Sequence, residues 1–331
     1  MLVCAIETSC DETSVALVED GVVLSNSVSS QIDIHQEYGG VFPEVASRLH
    51  VENINFVIKD AFHKAERTLD EIDYIAVTQG PGLIGSLHIG VMAAKTLAFA
   101  LDKPLIPVHH IIGHIYANRL SGEFDFPALV LVVSGGHTEL IYMEEDFKFQ
   151  VIGQTQDDAV GEAYDKVARQ MGLSYPGGPI IDKLSKQGSK RYQLPKVKLE
   201  NPLDFSFSGL KSAVRQLMLR EERNNREIVI EDLAFAFQES ATNELVKRIE
   251  LALEKYPVKT LALAGGVAAN SSLRSKFEKL KSDQLNILIP PLWACMDQAA
   301  MIGLAAEKYI ENGIIGDCEI SALSNKPIET Y

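Results

Sequence analysis

Ile6-Glu7-Thr8-Ser9-Cys10-Asp11-Glu12-Thr13-Ser14-Val15-Ala16-Leu17 is matched, 125 residues further on, by Leu131-Val132-Val133-Ser134-Gly135-Gly136-His137-Thr138-Glu139-Leu140-Ile141-Tyr142. In each stretch an apolar run stops at a turn of small, acidic or glycine residues, and a threonine then opens a second apolar run. β-Branched enrichment and turn punctuation of this kind predict strand, turn, strand. A third strand is predicted after each copy, at Val22 to Val28 and at Phe147 to Ile152. The chain thus contains two β-meanders related by duplication, and a duplication constrains the architecture more than any single motif.

A second matched pair lies later in each copy. Ile75-Ala76-Val77-Thr78-Gln79-Gly80 leads through Pro81-Gly82-Leu83 into a helix predicted from about Gly85 to Ala100. Leu261-Ala262-Leu263-Ala264-Gly265-Gly266 leads through Val267-Ala268-Ala269-Asn270 into another. Such junctions aim backbone N–H groups and a helix dipole at an anion. Helical periodicity places Val45, Leu49, Ile54, Val57, Ile58 and Ala61 on one apolar face, and Leu233, Phe237, Ala241, Leu245 and Ile249 on another. Each half therefore reads βββαβαβα. Two such halves predict an α/β chain of the ASKHA (actin/Hsp70/sugar kinase-like) fold, with two duplicated ribonuclease H-like lobes around a central cleft. The lobes are expected at 1–122 and 123–331, the second enlarged by a basic insertion at 183–226.

Length and composition agree with this division. A chain of 331 residues suits about two domains. Apolar residues at 46% and charged residues at 23% are the balance of an ordinary globular protein. The apolar N-terminal run stops at Glu7 without a basic flank, unlike a signal peptide. The densest apolar stretch, Ile84 to Leu101, is interrupted by His88 and Lys95, so no membrane span is expected. Four cysteines with no CxxC pair favour reduced thiols and a cytoplasmic protein. The net charge of −14 argues against nonspecific nucleic-acid binding. It is unevenly spread, however. Residues 183–226 hold eleven Lys/Arg and four Asp/Glu, a local +7 against −21 elsewhere.

Two constellations carry chemistry. His110 and His114 follow the predicted strand Leu105–Val108 and stand at i,i+4, the spacing that turns two imidazoles toward one metal ion. The corresponding place in the second half holds Asp297, which completes a two-His, one-carboxylate set suited to Fe(2+) or Zn(2+). Duplication is expected to bring that aspartate from the opposite wall of the cleft. A zincin-type protease needs a glutamate beside the first histidine. This chain has Ile111 there. The second constellation is nucleotide-binding. Ser134-Gly135-Gly136 lets the backbone approach a phosphate, Asp165 is placed to take ribose hydroxyls, and Tyr175-Pro176-Gly177-Gly178-Pro179 with Gly266 to Asn270 is placed to flank a base. The first copy's turn carries Glu7, Asp11 and Glu12 instead, which suit a metal or an amine more than a phosphate.

With these residues placed, the chain resembles the TsaD family of tRNA N6-adenosine threonylcarbamoyltransferases, formerly grouped as O-sialoglycoprotein endopeptidases. The matching stretches are IETSCDET (6–13), GGVFPEVASRLH (39–50), GPGLIGSL (80–87), VHHIIGH (108–114), LVVSGGHT (131–138), DDAVGEAYDKVAR (157–169), YPGGP (175–179), DFSFSGLK (204–211) and AGGVAAN (264–270). The resemblance implies metal ligation by His110, His114 and Asp297. It also implies substrate binding by Val132, Val133, Ser134, Gly135, Gly136, Asp165, Gly178, Asp182 and Asn270. The implied reaction moves a threonylcarbamoyl group from threonylcarbamoyl-AMP to N6 of adenosine 37 in tRNAs reading codons that begin with A. Asp11 and Glu12 are the candidate catalytic residues, with Mg(2+) accompanying any bound ATP. The implied partners are tRNA, a smaller ASKHA paralogue (TsaB), a P-loop ATPase (TsaE) and an upstream threonylcarbamoyl-AMP synthase. One departure is visible: Met296-Asp297-Gln298 stands where the family commonly has Thr-Asp-Asn. The rival readings are a metal-dependent glycopeptidase, suggested only by the histidine pair, and a nucleotide-gated Hsp70-like binding module.

Overall fold

The computed structural model describes residues 1–196 and 199–330. Its strands are β1 (Leu2–Glu7), β2 (Glu12–Glu19), β3 (Val22–Ser30), β4 (Tyr74–Gly80), β5 (Leu105–His109), β6 (Ala128–Val133), β7 (Thr138–Met143), β8 (Phe149–Gln154), β9 (Thr260–Ala264) and β10 (Asn286–Leu288). Its helices are α1 (Ile32–Tyr38), α2 (Pro43–Ala65), α3 (Ile84–Leu101), α4 (His110–Tyr116), α5 (Val160–Gln170), α6 (Gly177–Ser185), α7 (Ser208–Arg223), α8 (Ile230–Leu253), α9 (Ser271–Glu278) and α10 (Ala299–Glu311). The predicted elements are present, with ends shifted by a residue or two. The third strand of the second copy begins at Phe149 rather than Phe147, because Phe147 sits in a turn at φ +60.

The strands form two five-stranded sheets, ordered β3-β2-β1-β4-β5 and β10-β9-β6-β7-β8. Each is a meander extended by two parallel strands, so the duplication read from the sequence is structural. The register keeps the offset: Glu7 pairs with Ser14 in the first meander, and Val132 with Glu139 in the second.

The chain divides into two compact units. One holds Met1–Glu123 together with the segment from Pro290 onward, and the other holds Phe124–Ile289. This corrects the expected boundary at its far end. Residues 290–330 fold with the first unit, because α10 packs on β1, β2 and β5 and against α4. A Cβ on Gly303 would lie 2.4 Å from Val18 Cγ2, so glycine is what lets α10 sit this close to the sheet. On the other face of that sheet, Leu2, Cys4 and Ile6 join Ile54, Val57, Leu87 and Val91 in a core covered by α2 and α3. The apolar helix α3 is long enough to cross a membrane, yet it buries Leu87, Val91, Ala94 and Ala98 within this unit. In the second unit β6 is wholly buried, and α6 packs on α8.

Candidate active site and metal centre

In the first unit β5 runs directly into α4. His109 caps that helix. Its Nδ1 accepts from Ile111 N–H at 3.1 Å and its Nε2 donates to the Lys326 carbonyl at 2.7 Å. The next residue, His110, and His114 one turn on bring their rings to 4.8 Å between centroids, nearly perpendicular. Asp297 precedes α10, and its Oδ1 lies 3.0 Å from His114 Nε2 and 3.6 Å from His110 Nε2. The three predicted ligands are therefore brought together, with ligand atoms within 4.8 Å of one another. Asp297 reaches them from within the same unit, not from the opposite lobe as expected. A Cβ on Gly113 would lie 2.8 Å from Ile302 Cδ1, a close approach of α4 and α10 that puts acid and imidazoles in reach.

Glu7, at the end of β1, backs His110. Its Oε2 lies 3.4 Å from His110 Nδ1, and Ser9 Oγ lies 3.2 Å from the same nitrogen. Glu7 is fully buried and accepts from Ser9 N–H and Thr78 Oγ1. Burial works against its charge, but the hydrogen bond and charge of His110, helped by Ser9, hold Glu7 below its ordinary value. Burial likewise works against a charged His110, and Asp297 and Glu7 outweigh it, pushing the ring up to about 9. His110 thus has Nδ1 held from behind and Nε2 turned to Asp297, the arrangement of a metal-binding histidine with a carboxylate behind it. Two imidazoles and a carboxylate at these separations fit a divalent transition metal.

Asp11 and Glu12 are buried beside this group. Burial, then the charges of Asp11 and Asp297, push Glu12 well above the usual carboxylate range. The acidic turn is braced from three sides. His50 of α2 bridges Thr13 Oγ1 at 2.8 Å and the Cys10 carbonyl at 2.9 Å. Thr8 Oγ1 donates to Ser86 O and accepts from Gly90 N–H on α3, and Leu83 N–H donates to Ser9 O. The amides of the Gly82-Leu83 junction are spent on chain carbonyls, Ser324 O and Ser9 O, rather than on an external anion. Gln298, the departure from the family pattern, is buried in extended backbone, and its side chain does not cap α10. Ser14 Oγ and Asn26 Oδ1 accept from Ala299 and Ala300 N–H in its place.

The second unit holds the predicted nucleotide residues. Gly135 and Gly136 are open: no atom lies within 4 Å of a Cβ built on either. Ser134 Oγ is taken up by its own turn, accepting from His137 N–H at 3.0 Å and Gly136 N–H at 3.3 Å. Val132 and Val133 have fully buried side chains, so only their main chain is available to a ligand. Asp165 Oδ1 accepts from Gly177 N–H at 2.7 Å, which ties α5 to the start of α6. Burial raises its carboxyl, and the Gly177 and Gly178 amides oppose that rise. Asp182 Oδ1 accepts from Ser271 Oγ at 2.8 Å and Ser271 N–H at 3.2 Å, so the anion at the start of α9 is the chain's own carboxylate. Asn270 caps the same helix, its Oδ1 accepting from Leu273 N–H at 2.9 Å. Gln238, which the sequence did not single out, joins Asp182 to Asn270. No local signal singles it out: it is one polar side chain of α8, with Phe235 at i−3 and Ala234 and Thr242 at i±4.

Across the basic insertion Lys183, Lys190, Arg191, Lys196, Arg215 and Arg223 are exposed. Others are partly neutralised: Lys211 meets Asp158 at 2.7 Å, Lys186 meets Asp182 at 3.1 Å, and Glu221 faces Arg220 and Arg226. Lys198, one of the predicted basic set, lies outside the described residues.

A family model described as TsaD, tRNA N6-adenosine threonylcarbamoyltransferase, matches residues 22–304. A protein of that name from Bacillus licheniformis is 53% identical over 335 residues, covering 100% of this chain and 98% of the relative. Another from Bacillus subtilis is 53% identical over 335 residues, covering 100% and 97%. Among solved structures, T. kodakarensis HypF superposes with a TM-score of 0.61 at 15% identity, over 94% of this chain and 48% of that one, which is a likeness of fold alone. The expected fold class and the expected family are both met.

Proposed function

Since the chain belongs to the tRNA N6-adenosine threonylcarbamoyltransferase family, we propose that it moves the threonylcarbamoyl group of threonylcarbamoyl-AMP onto N6 of adenosine 37 in tRNAs reading codons that begin with A. The observation that carries this reading is the meeting of His110, His114 and Asp297 beside the buried acidic turn. One Fe(2+) or Zn(2+) held by these three residues would orient the threonylcarbamoyl group and draw electron density from its carbonyl. In the transfer a bond forms between N6 and the carbamoyl carbon, the bond from that carbon to the phosphate oxygen breaks, and AMP leaves. The N6 amine loses a proton and is a weak nucleophile, so positioning and proton acceptance are what the protein supplies. Burial and the neighbouring Asp11 and Asp297 charges favour the protonated form of Glu12, which suits it to donate a hydrogen bond, and Asp11 is assigned to accept the amine proton. In the second unit the open Gly135-Gly136 turn, Asp165, Gly178, Asp182 and Asn270 receive the adenylate, with Mg(2+) where ATP is bound.

The exposed basic side chains of 183–226 support tRNA docking on that segment. Exposed Val51 and Phe56 on α2 and Met92 and Phe99 on α3 support a protein partner, and the smaller ASKHA paralogue TsaB is the partner proposed. TsaE and the upstream synthase complete the set, in the cytoplasm. The deciding experiment is mass spectrometry of tRNA nucleosides after reaction with threonine, bicarbonate, ATP and these partners. The parent protein yields threonylcarbamoyladenosine, and His110→Ala and Asp297→Ala lose both bound metal and product while remaining folded. Full product from metal-free His110→Ala would overturn the assignment.

A further inference from the structure

Gln238 lies on α8 with 4% of its surface exposed. A primary amide has two N–H donors and one carbonyl oxygen, and here every one is engaged. Nε2 donates to Asp182 Oδ1 at 3.1 Å and to Ser185 Oγ at 2.6 Å, while Oε1 accepts from Asn270 Nδ2 at 2.7 Å. Both residues it joins are themselves nearly saturated. Asp182 Oδ1 has three donors, from Gln238, Ser271 N–H and Ser271 Oγ. Its Oδ2 faces the flexible, exposed Lys186 ammonium at 3.1 Å. Asn270 gives its Oδ1 to the α9 cap and its Nδ2 to Gln238 and the Tyr164 hydroxyl. The atom left to meet a ligand is therefore Asp182 Oδ2, and its direction is set from the Oδ1 side. Gln238 also lines, with Ser185, Lys186, Phe235, Glu239 and Ser271, a pocket of about 230 Å³.

We propose that Gln238 is a positioning residue: its amide, itself anchored on Asn270 and Ser185, locks the Asp182 carboxylate in the orientation that turns Oδ2 to the nucleotide part of the substrate. The inference rests on the reading of Asp182 as a substrate residue. Glutamate cannot replace Gln238, because it would set a second carboxylate against Asp182 where a donor is required. A methionine of similar volume would keep the packing and remove all three hydrogen bonds. A core that needed only filling would be served as well by that methionine, since a buried amide contributes only when every partner is in place.

The test is a double-mutant cycle on the full-length chain, with AMP binding followed by calorimetry and melting temperature recorded for each variant. Gln238→Glu and Gln238→Met are each expected to weaken AMP about 10- to 100-fold, the span of a lost charge-assisted hydrogen bond. In the transfer assay the KM for the adenylate rises by a like factor, while kcat at saturation and metal content hold. Because Gln238 acts through Asp182, Asp182→Ala with Gln238→Met should weaken AMP no more than Asp182→Ala alone. Additive losses would make Gln238 a direct contact, and unchanged AMP affinity in both Gln238 variants would make it irrelevant to binding. Either result overturns the proposal, as does loss of the fold in both variants. If Asp182→Ala itself leaves AMP affinity unchanged, the substrate-site reading fails instead.

Discussion

Replacing Glu7 by glutamine should weaken metal binding at a residue that never touches the metal. Glu7 Oε2 stands 3.4 Å from His110 Nδ1. Two unit charges at that distance interact by about 5 kcal/mol at an effective dielectric of 20. That figure is a ceiling. A metal-bound imidazole carries only part of the cation's charge, and Glu7 also favours the proton that competes for the same ring. Loss of a carboxylate behind a ligating histidine typically lowers affinity about 10- to 100-fold, or about 1.4–2.7 kcal/mol. Glutamine adds a second handicap, since its NH2 can turn toward Nδ1. That hydrogen bond favours the tautomer whose proton sits on Nε2, the nitrogen needed for the metal. The assay is competition between the protein and a fluorescent Zn(2+) chelator, followed by transfer activity at saturating metal. The expected result is weaker retention of Zn(2+) with activity restored by excess metal, which separates lost affinity from lost fold. Parental affinity in Glu7→Gln would refute the claim that the buried carboxylate supports the ligand.

Three further outcomes are expected. Reversing Lys190, Arg191, Lys196 and Lys198 together to Glu should raise the KM for tRNA and flatten its salt dependence, because fewer counterions are released; unchanged salt dependence would move the docking surface elsewhere. Gly303→Ala should cost about 1–3 kcal/mol in urea denaturation, since the added Cβ would lie 2.4 Å from Val18 Cγ2, and an unchanged midpoint would show that α10 can shift freely. Burial lowers Lys326 to about 8 from an ordinary 10.5. The folded chain thus releases this proton before the unfolded chain does, so the group's contribution to stability rises between pH 8 and 10.5 and is lost as pH falls through 8. Lys326→Met should therefore be more stable than the parent at pH 7, with the gap closing by pH 10, and a gap independent of pH would contradict the burial argument.

The duplication was legible because strands and turns are local. Apolar runs, the turn residues and the 125-residue offset are all visible in the chain, and the ladder Glu7–Ser14 against Val132–Glu139 keeps that offset. The metal ligands were legible for a mixed reason. The His110–His114 spacing is local, whereas Asp297 was found through the symmetry of the two halves. Glu7 was legible as an acid of the first turn but not as the partner of His110, and Gln238 was not found. Glu7 meets His110 across 103 residues of sequence, and Gln238 meets Asp182 across 56. A buried acid at a strand end and a polar residue on a helix carry no local mark of such distant partners. Asp165 shows the converse. The sequence marked it as a polar group near a ribose, and the structure commits Oδ1 to the Gly177 amide, so a ligand has to meet the remaining oxygen or the helix start that Asp165 holds in place.

Where Asp297 belongs follows from packing rather than pattern. Every residue from Ala299 to Glu307 is buried, and such a helix shows no polar face by which a sequence could orient it. Periodicity could say that α10 is a core helix without saying of which unit. The deciding contacts are short-range and steric: Gly303 against Val18, and Gly113 against Ile302. They draw α10 onto the first sheet and carry Asp297 to the two histidines on α4. The returning segment from Pro290 onward thus supplies the third ligand of the group that residues 1–123 begin. A protein cut after residue 289 would keep His110, His114 and Glu7 in sequence, yet it would lose both the third ligand and the helix that packs on the sheet holding the other two.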